Sequence, residues 1–156
     1  MIKFVAILVP LYFTQQFIHE LAHGTVAIIF GGKINGIYFN IYGGRVDSVI
    51  PNIPYVILLT GLSGGLIASL ILMLVYFATR AFWVEFNILT VAFSLTNLFT
   101  GIIEGLFYDS YVSSLSSWSY IFLPFFLLSA YIFRRKLITT YPKPRFKTYY
   151  YLSGEA

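Results

Sequence analysis

Two histidines and a glutamate lie within five residues of one another in an apolar stretch near the N-terminus of this 156-residue chain. His19 and His23 are four residues apart, so on an α-helix both imidazoles project from one face. Two neutral imidazoles at that spacing can bind one Zn²⁺, and Glu20 can act as general base towards a water held by the metal. The spacing therefore predicts a zinc site with His19 and His23 as ligands and Glu20 as the catalytic base.

The overall composition is that of a membrane protein. Hydrophobic residues make up 58% of the chain and charged residues 10%, whereas soluble domains carry about 25% charged residues. Imidazole and carboxylate groups are costly in hydrocarbon, so their presence in an apolar helix indicates a functional site. The absence of cysteine excludes disulfides and thiolate metal ligands.

Four apolar stretches predict an all-α integral membrane protein, since a membrane-spanning helix needs about 20 mostly apolar residues. The expected transmembrane helices cover about residues 2–30, 55–79, 81–108 and 120–133. The first should stop at Gly31-Gly32, and Arg134-Arg135-Lys136 should end the fourth. The second contains small residues that should let helix backbones approach closely, namely Gly61, Ser63, Gly64, Gly65, Ala68 and Ser69. Residues 31–52 alternate weakly between polar and apolar types and contain several glycines, which predicts a short β-hairpin-like segment at the membrane surface after the first helix.

Basic residues concentrate at the C-terminal end of the chain, which divides it into two parts. Residues 1–133 are expected to form one polytopic membrane domain, and residues 134–156 a basic, aromatic tail. The positive-inside rule places this tail in the cytoplasm, and a prokaryotic plasma membrane is the expected location. Nucleic-acid binding is not expected, because no folded basic surface accompanies the tail.

The third zinc ligand should be a carboxylate, because the chain has neither cysteine nor a third histidine. The first and third apolar helices run in the same direction if the second returns between them. Glu104 then lies at the level of the two histidines and is the favoured ligand. Asp109 is the alternative, and Asp47 in the surface loop stays open. Asn97, seven residues before Glu104, shares its helical face and could contact a substrate carbonyl or hold a ligand in place.

Taken together, these motifs resemble the site-2 protease family of intramembrane zinc metalloproteases over about residues 12–110. In that family, a HExxH helix supplies two zinc ligands and the catalytic glutamate, and an Asn-Pro…Asp-Gly motif on a later helix supplies the third ligand. The motifs that carry the resemblance are His19-Glu20-x-x-His23, the glycine-rich segment after it, Gly61-Leu62-Ser63-Gly64, and Asn97 ahead of Glu104-Gly105. Here Leu98 replaces the proline and Glu104 the aspartate, so Asp109 remains an alternative.

The resemblance implies an intramembrane zinc metalloendopeptidase with one Zn²⁺ per chain. Its partners would be the lipid bilayer and a membrane-protein substrate, cleaved in or near a transmembrane segment. Glu20 would be the catalytic residue, and Asn97 would contact the substrate or its oxyanion. Two alternatives stay open: a non-catalytic, metal-binding scaffold related to these proteases, and an ion or metal transporter.

Overall fold

The computed structural model describes residues 2–40, 43–80, 84–107 and 115–140. These residues form four α-helices and one two-stranded antiparallel sheet. In chain order the elements are α1 (Ile2–Ile29), β1 (Lys33–Asn40), β2 (Gly43–Val49), α2 (Pro54–Thr79), α3 (Val84–Leu106) and α4 (Leu115–Thr140). The predicted helical chain with a hairpin after the first helix is confirmed. Within the described residues, α2 and α3 are long and apolar enough to cross a membrane.

The end of α1 is set by two glycines, as the sequence predicts. The Gly31 N–H donates to the Ile28 carbonyl at 2.9 Å, and the Gly32 N–H donates to the Ala27 carbonyl at 2.8 Å. Gly31 has a φ of +80°, which glycine adopts without the steric cost that a β-carbon would add. This Schellman closure ends the helix and turns the chain into β1. Strand β2 then pairs with β1 and packs against α1.

Facing glycines bring α2 and α3 into close contact. A β-carbon at Gly61 would lie 2.7 Å from the backbone oxygen of Glu104, and one at Gly65 would overlap the backbone of Gly101. Gly61 and Gly65 on α2, like Gly101 and Gly105 on α3, are four residues apart. Small residues at this spacing let helix backbones approach closely. This packing fixes the end of α3 that carries Glu104.

The fourth helix is longer than predicted. It covers Leu115–Thr140 instead of 120–133, and Arg134 and Arg135 lie inside it. The prediction that these basic residues end the helix is wrong, because arginine and lysine are good helix formers. Helix α4 packs on α3, where the rings of Phe93 and Phe126 lie 4.6 Å apart between centroids.

Candidate metal centre

Helices α1 and α3 bring the two histidines and Glu104 together in the interior. Glu104 Oε2 lies 3.0 Å from His19 Nε2 and 3.2 Å from His23 Nε2. All three ligand atoms lie within 4.8 Å of one another. Two atoms bound to a tetrahedral Zn²⁺ at ordinary bond lengths are about 3.3 Å apart, so one ion fits this group. Asp47 lies on β2 outside the group, and Asp109 lies outside the described residues.

Asn97 fixes which nitrogen of His19 carries the hydrogen. The Asn97 amide nitrogen donates to the Phe93 carbonyl at 2.8 Å and to Gln15 Oε1 at 2.7 Å. Its Oδ1 therefore faces His19 Nδ1, at 2.8 Å, and accepts that hydrogen. In the neutral ring, His19 Nε2 is left with a lone pair directed at Glu104.

The second histidine is oriented in the same way by a backbone group. His23 Nδ1 lies 2.6 Å from the carbonyl oxygen of Thr60 on α2. A carbonyl oxygen can only accept, so Nδ1 donates, and in the neutral ring the lone pair of Nε2 faces Glu104. Gly64 makes this approach possible, because a β-carbon there would overlap the His23 imidazole.

With both rings neutral, as metal ligation requires, the three groups are all electron-pair donors that converge on one point. Two imidazole lone pairs face one carboxylate oxygen, and a single proton there would satisfy only one of the two contacts between histidine and carboxylate. A metal cation satisfies all three groups at once. Histidines that bind metals typically donate their other N–H to a carbonyl or a carboxylate, as His19 and His23 do here to Asn97 and Thr60. The arrangement has the chemistry of a cation site.

Glu20 lies beside this group and is held against the hairpin. It is buried and lines the same cavity as His19 and Glu104. The backbone of Val46 on β2 hydrogen-bonds to its carboxylate. A β-carbon at Gly44 would lie 2.8 Å from Glu20 Oε1, so only glycine at this position provides enough space for the carboxylate. Strand β2 therefore covers one side of the site.

A cavity of about 620 Å³ opens from the site between α1, α3 and α4. Its polar lining comes from the side chains of Gln15, Gln16, His19, Glu20, Thr96, Asn97, Thr100 and Glu104. Its apolar wall is built from Leu8, Val9, Tyr12, Phe13, Phe93, Phe122, Leu123 and Phe126. The cavity can hold an apolar peptide segment with one part of its backbone next to the carboxylates.

The sequence indicated the three side chains of the group but not the Thr60 carbonyl, which holds His23, or Gln15, which accepts a hydrogen bond from Asn97. The Thr60 carbonyl is a backbone group, which leaves no signal in a residue pattern. Gln15 lies four residues before His19, so it shares the histidine face of α1, and that spacing was the available signal. Asn97 contacts His19, and its predicted contact with a substrate oxyanion would require exchange of one of its two donated hydrogen bonds.

Comparison with models of known protein families, with curated proteins and with solved structures finds no match. The class of the site is therefore inferred from the chain's own residues. They define a buried group of two histidines and one glutamate that could hold a metal ion. A second buried glutamate, Glu20, lies beside it on an apolar cavity.

Proposed function

We propose that this protein is an intramembrane zinc metalloendopeptidase, as its resemblance to the site-2 protease family implies. It would hydrolyse peptide bonds in or near transmembrane segments of membrane proteins. One observation carries the proposal: His19 Nε2 and His23 Nε2 both lie within 3.2 Å of Glu104 Oε2, while the Nδ1 atoms of both rings face acceptor oxygens. The position of Glu20 on the same cavity supports hydrolysis over simple metal storage.

The chain's residues divide the work of hydrolysis between them. His19, His23 and Glu104 would hold Zn²⁺, which when bound supplies a polarised water and a Lewis acid. Glu20 accepts a proton from the attacking water and then returns it to the leaving amine nitrogen. Asn97 keeps the imidazole of His19 in the orientation that ligation requires.

The surface of α1 supports a position within the bilayer. Its outward residues Val5, Phe17 and Leu21, which lie outside the cavity lining, are between 46% and 52% exposed, whereas Gln15 and His19 are each 5% exposed. A helix with apolar residues outside and polar residues inside suits a lipid environment and would form an aggregation-prone patch in water. We infer that all four helices lie in a prokaryotic plasma membrane, with the basic C-terminal residues in the cytoplasm.

The substrate would have to unwind before cleavage. A transmembrane helix engages its carbonyls in internal hydrogen bonds, which hides them from attack. An unwound segment exposes unpaired N–H and C=O groups, which strand addition to the β1–β2 hairpin would satisfy. The contact of β2 with Glu20 and Gln16 puts this hairpin next to the predicted base.

Purified protein in proteoliposomes tests the proposal with a panel of single-span reporter proteins as substrates. We expect wild type to hold about one zinc and to cleave, Glu20→Gln to hold zinc without cleaving, and Glu104→Gln to lose both. Glu85→Gln is the matched control, because Glu85 is an exposed carboxylate in the first turn of α3. A zinc-loaded wild type that cleaves nothing in a Glu20-dependent manner would refute the proposal. Zinc flux into the liposomes without a cleaved product would identify a transporter instead.

A further inference from the structure

A second amide in the cavity, that of Gln15, has free hydrogen-bond donors. Gln15 lies one helical turn before His19, is 5% exposed and lines the cavity. Its Oε1 accepts from the Asn97 amide, so its nitrogen Nε2 is directed away from Asn97. Within the part of the chain that the structure describes, nothing accepts a hydrogen bond from Nε2.

The free nitrogen of Gln15 is open to the cavity. Among the described residues, Thr60 Oγ1 is the only fully enclosed side-chain nitrogen or oxygen without a partner. Gln15 Nε2 is therefore not fully enclosed by protein. Because Gln15 is buried and lines the cavity, its remaining exposed surface faces the cavity. A donor left unpaired in an apolar site is unfavourable, so a ligand that brings an acceptor would be stabilised there.

Asn97 is less suited to this role than Gln15. Both of its amide hydrogens are engaged, one by Gln15 Oε1 and the other by the Phe93 carbonyl. Breaking the first of these bonds would also release the amide that orients His19. The third amide of the cavity lining, that of Gln16, is engaged by the Gly44 N–H and by Tyr12. Of the three, Gln15 is the one able to donate without giving up a hydrogen bond that it already makes.

We propose that Gln15 is a substrate-binding residue that donates from Nε2 to a main-chain carbonyl of the unwound substrate. Four residues of helix separate it from His19 by about 6 Å, and an extended chain advances about 3.3 Å per residue. A substrate lying along α1 would therefore present the carbonyl about two residues from the scissile bond. This inference rests on the proposed protease function and names the group of the substrate that the site recognises.

Thr100 offers the complementary group on the opposite wall of the cavity. Its hydroxyl donates to the Thr96 carbonyl at 2.8 Å, which leaves the oxygen lone pairs of this cavity-lining side chain to accept from a substrate N–H. An unwound segment inside a membrane exposes both N–H and C=O groups without water to satisfy them. Gln15 on α1 and Thr100 on α3 together offer a donor and an acceptor to one backbone.

The test measures binding and cleavage separately. Binding of a fluorescent single-span reporter is measured in Glu20→Gln protein, which does not turn over, with and without Gln15→Met. Cleavage is measured with Gln15→Met and Thr100→Val in otherwise wild-type protein, with zinc content determined for each. We expect Gln15→Met to weaken binding and to lower kcat/KM by about tenfold, which corresponds to one hydrogen bond. Because Gln15→Met also removes the acceptor of the Asn97 amide, Gln15→Glu, which keeps an acceptor oxygen and lacks Nε2, is measured beside it. Gln15→Glu should show the same loss of binding and cleavage, with zinc per chain unchanged and no recovery on adding zinc.

Three other results would overturn the inference. Unchanged binding and unchanged kcat/KM in Gln15→Met would show that Nε2 does not meet the substrate. Loss of zinc in Gln15→Met, together with wild-type binding and cleavage in Gln15→Glu, would make Gln15 a positioning residue that acts through Asn97 and His19. Absence of Glu20-dependent cleavage in wild type would remove the protease function itself, and that failure is visible before any Gln15 variant is examined.

Discussion

Replacing Gly64 by alanine should abolish the metal site without altering any ligand. A β-carbon at Gly64 would overlap Nε2 of His23 and would lie 2.6 Å from its Cδ2. Carbon atoms in contact prefer about 3.5 Å or more, so the ring must move by about 1 Å. Metal–ligand distances tolerate only about ±0.2 Å. The displaced Nε2 therefore no longer fits the group, and the 2.6 Å hydrogen bond from Nδ1 to the Thr60 carbonyl is disturbed as well.

The expected loss of zinc affinity can be estimated from the loss that other zinc sites show when a ligand is disturbed. Altering a residue that only orients a ligand costs about 10–100-fold in metal affinity. Gly64→Ala moves the ligand itself, so zinc affinity should fall by at least about 100-fold, or about 2.8 kcal/mol. The measurement is a titration of zinc against a competing chromophoric chelator in detergent-purified protein.

Gly24→Ala is the matched control for this experiment. Gly24 follows His23 on α1, and a β-carbon there would meet the end of the Ile34 side chain at 2.7 Å, which can rotate away. Alanine in a helix interior also favours the helix by about 0.5–1 kcal/mol relative to glycine. Wild-type zinc affinity in a folded Gly64→Ala protein would refute the assigned position of His23, whereas Gly24→Ala should bind zinc like wild type.

Two further predictions concern the same group. Asn97→Leu removes the acceptor of the His19 Nδ1 hydrogen and should lower zinc affinity by about 10–100-fold. Asn97→Asp keeps an acceptor oxygen and should retain most of the affinity. Equal zinc affinities of Asn97→Leu and wild type, measured by the same titration, would contradict this prediction. Zinc retention should also fall as the pH is lowered, because protons compete with the metal for the two imidazole nitrogens. Zinc content after dialysis at pH 7.5 and pH 5 measures this loss, and a content that stays constant to pH 5 would argue against histidine ligation.

Much of the fold could be predicted from local patterns. Long apolar stretches predicted the helices, and Gly31 and Gly32 predicted the end of α1, because both features depend on residues close in sequence. The end of α4 was predicted wrongly at Phe133. A change from apolar to basic residues indicates where a segment leaves an apolar environment, but arginine and lysine still favour the helix, so the helix continues. The close contact of α2 and α3 depends on facing glycines, of which the sequence indicated only those on α2 as packing residues.

The sequence by itself determined the pair His19 and His23 with Glu20 between them, because a helix converts a spacing of four residues into one face. It also limited the third ligand to a few carboxylates, since the chain has no cysteine and no other histidine. Only the tertiary structure brought Glu104 to them, across 85 residues of chain, through the packing of α1 and α3. It alone directed both Nε2 lone pairs inward, because the acceptors that hold the two Nδ1 hydrogens, Asn97 and the Thr60 carbonyl, lie on other helices.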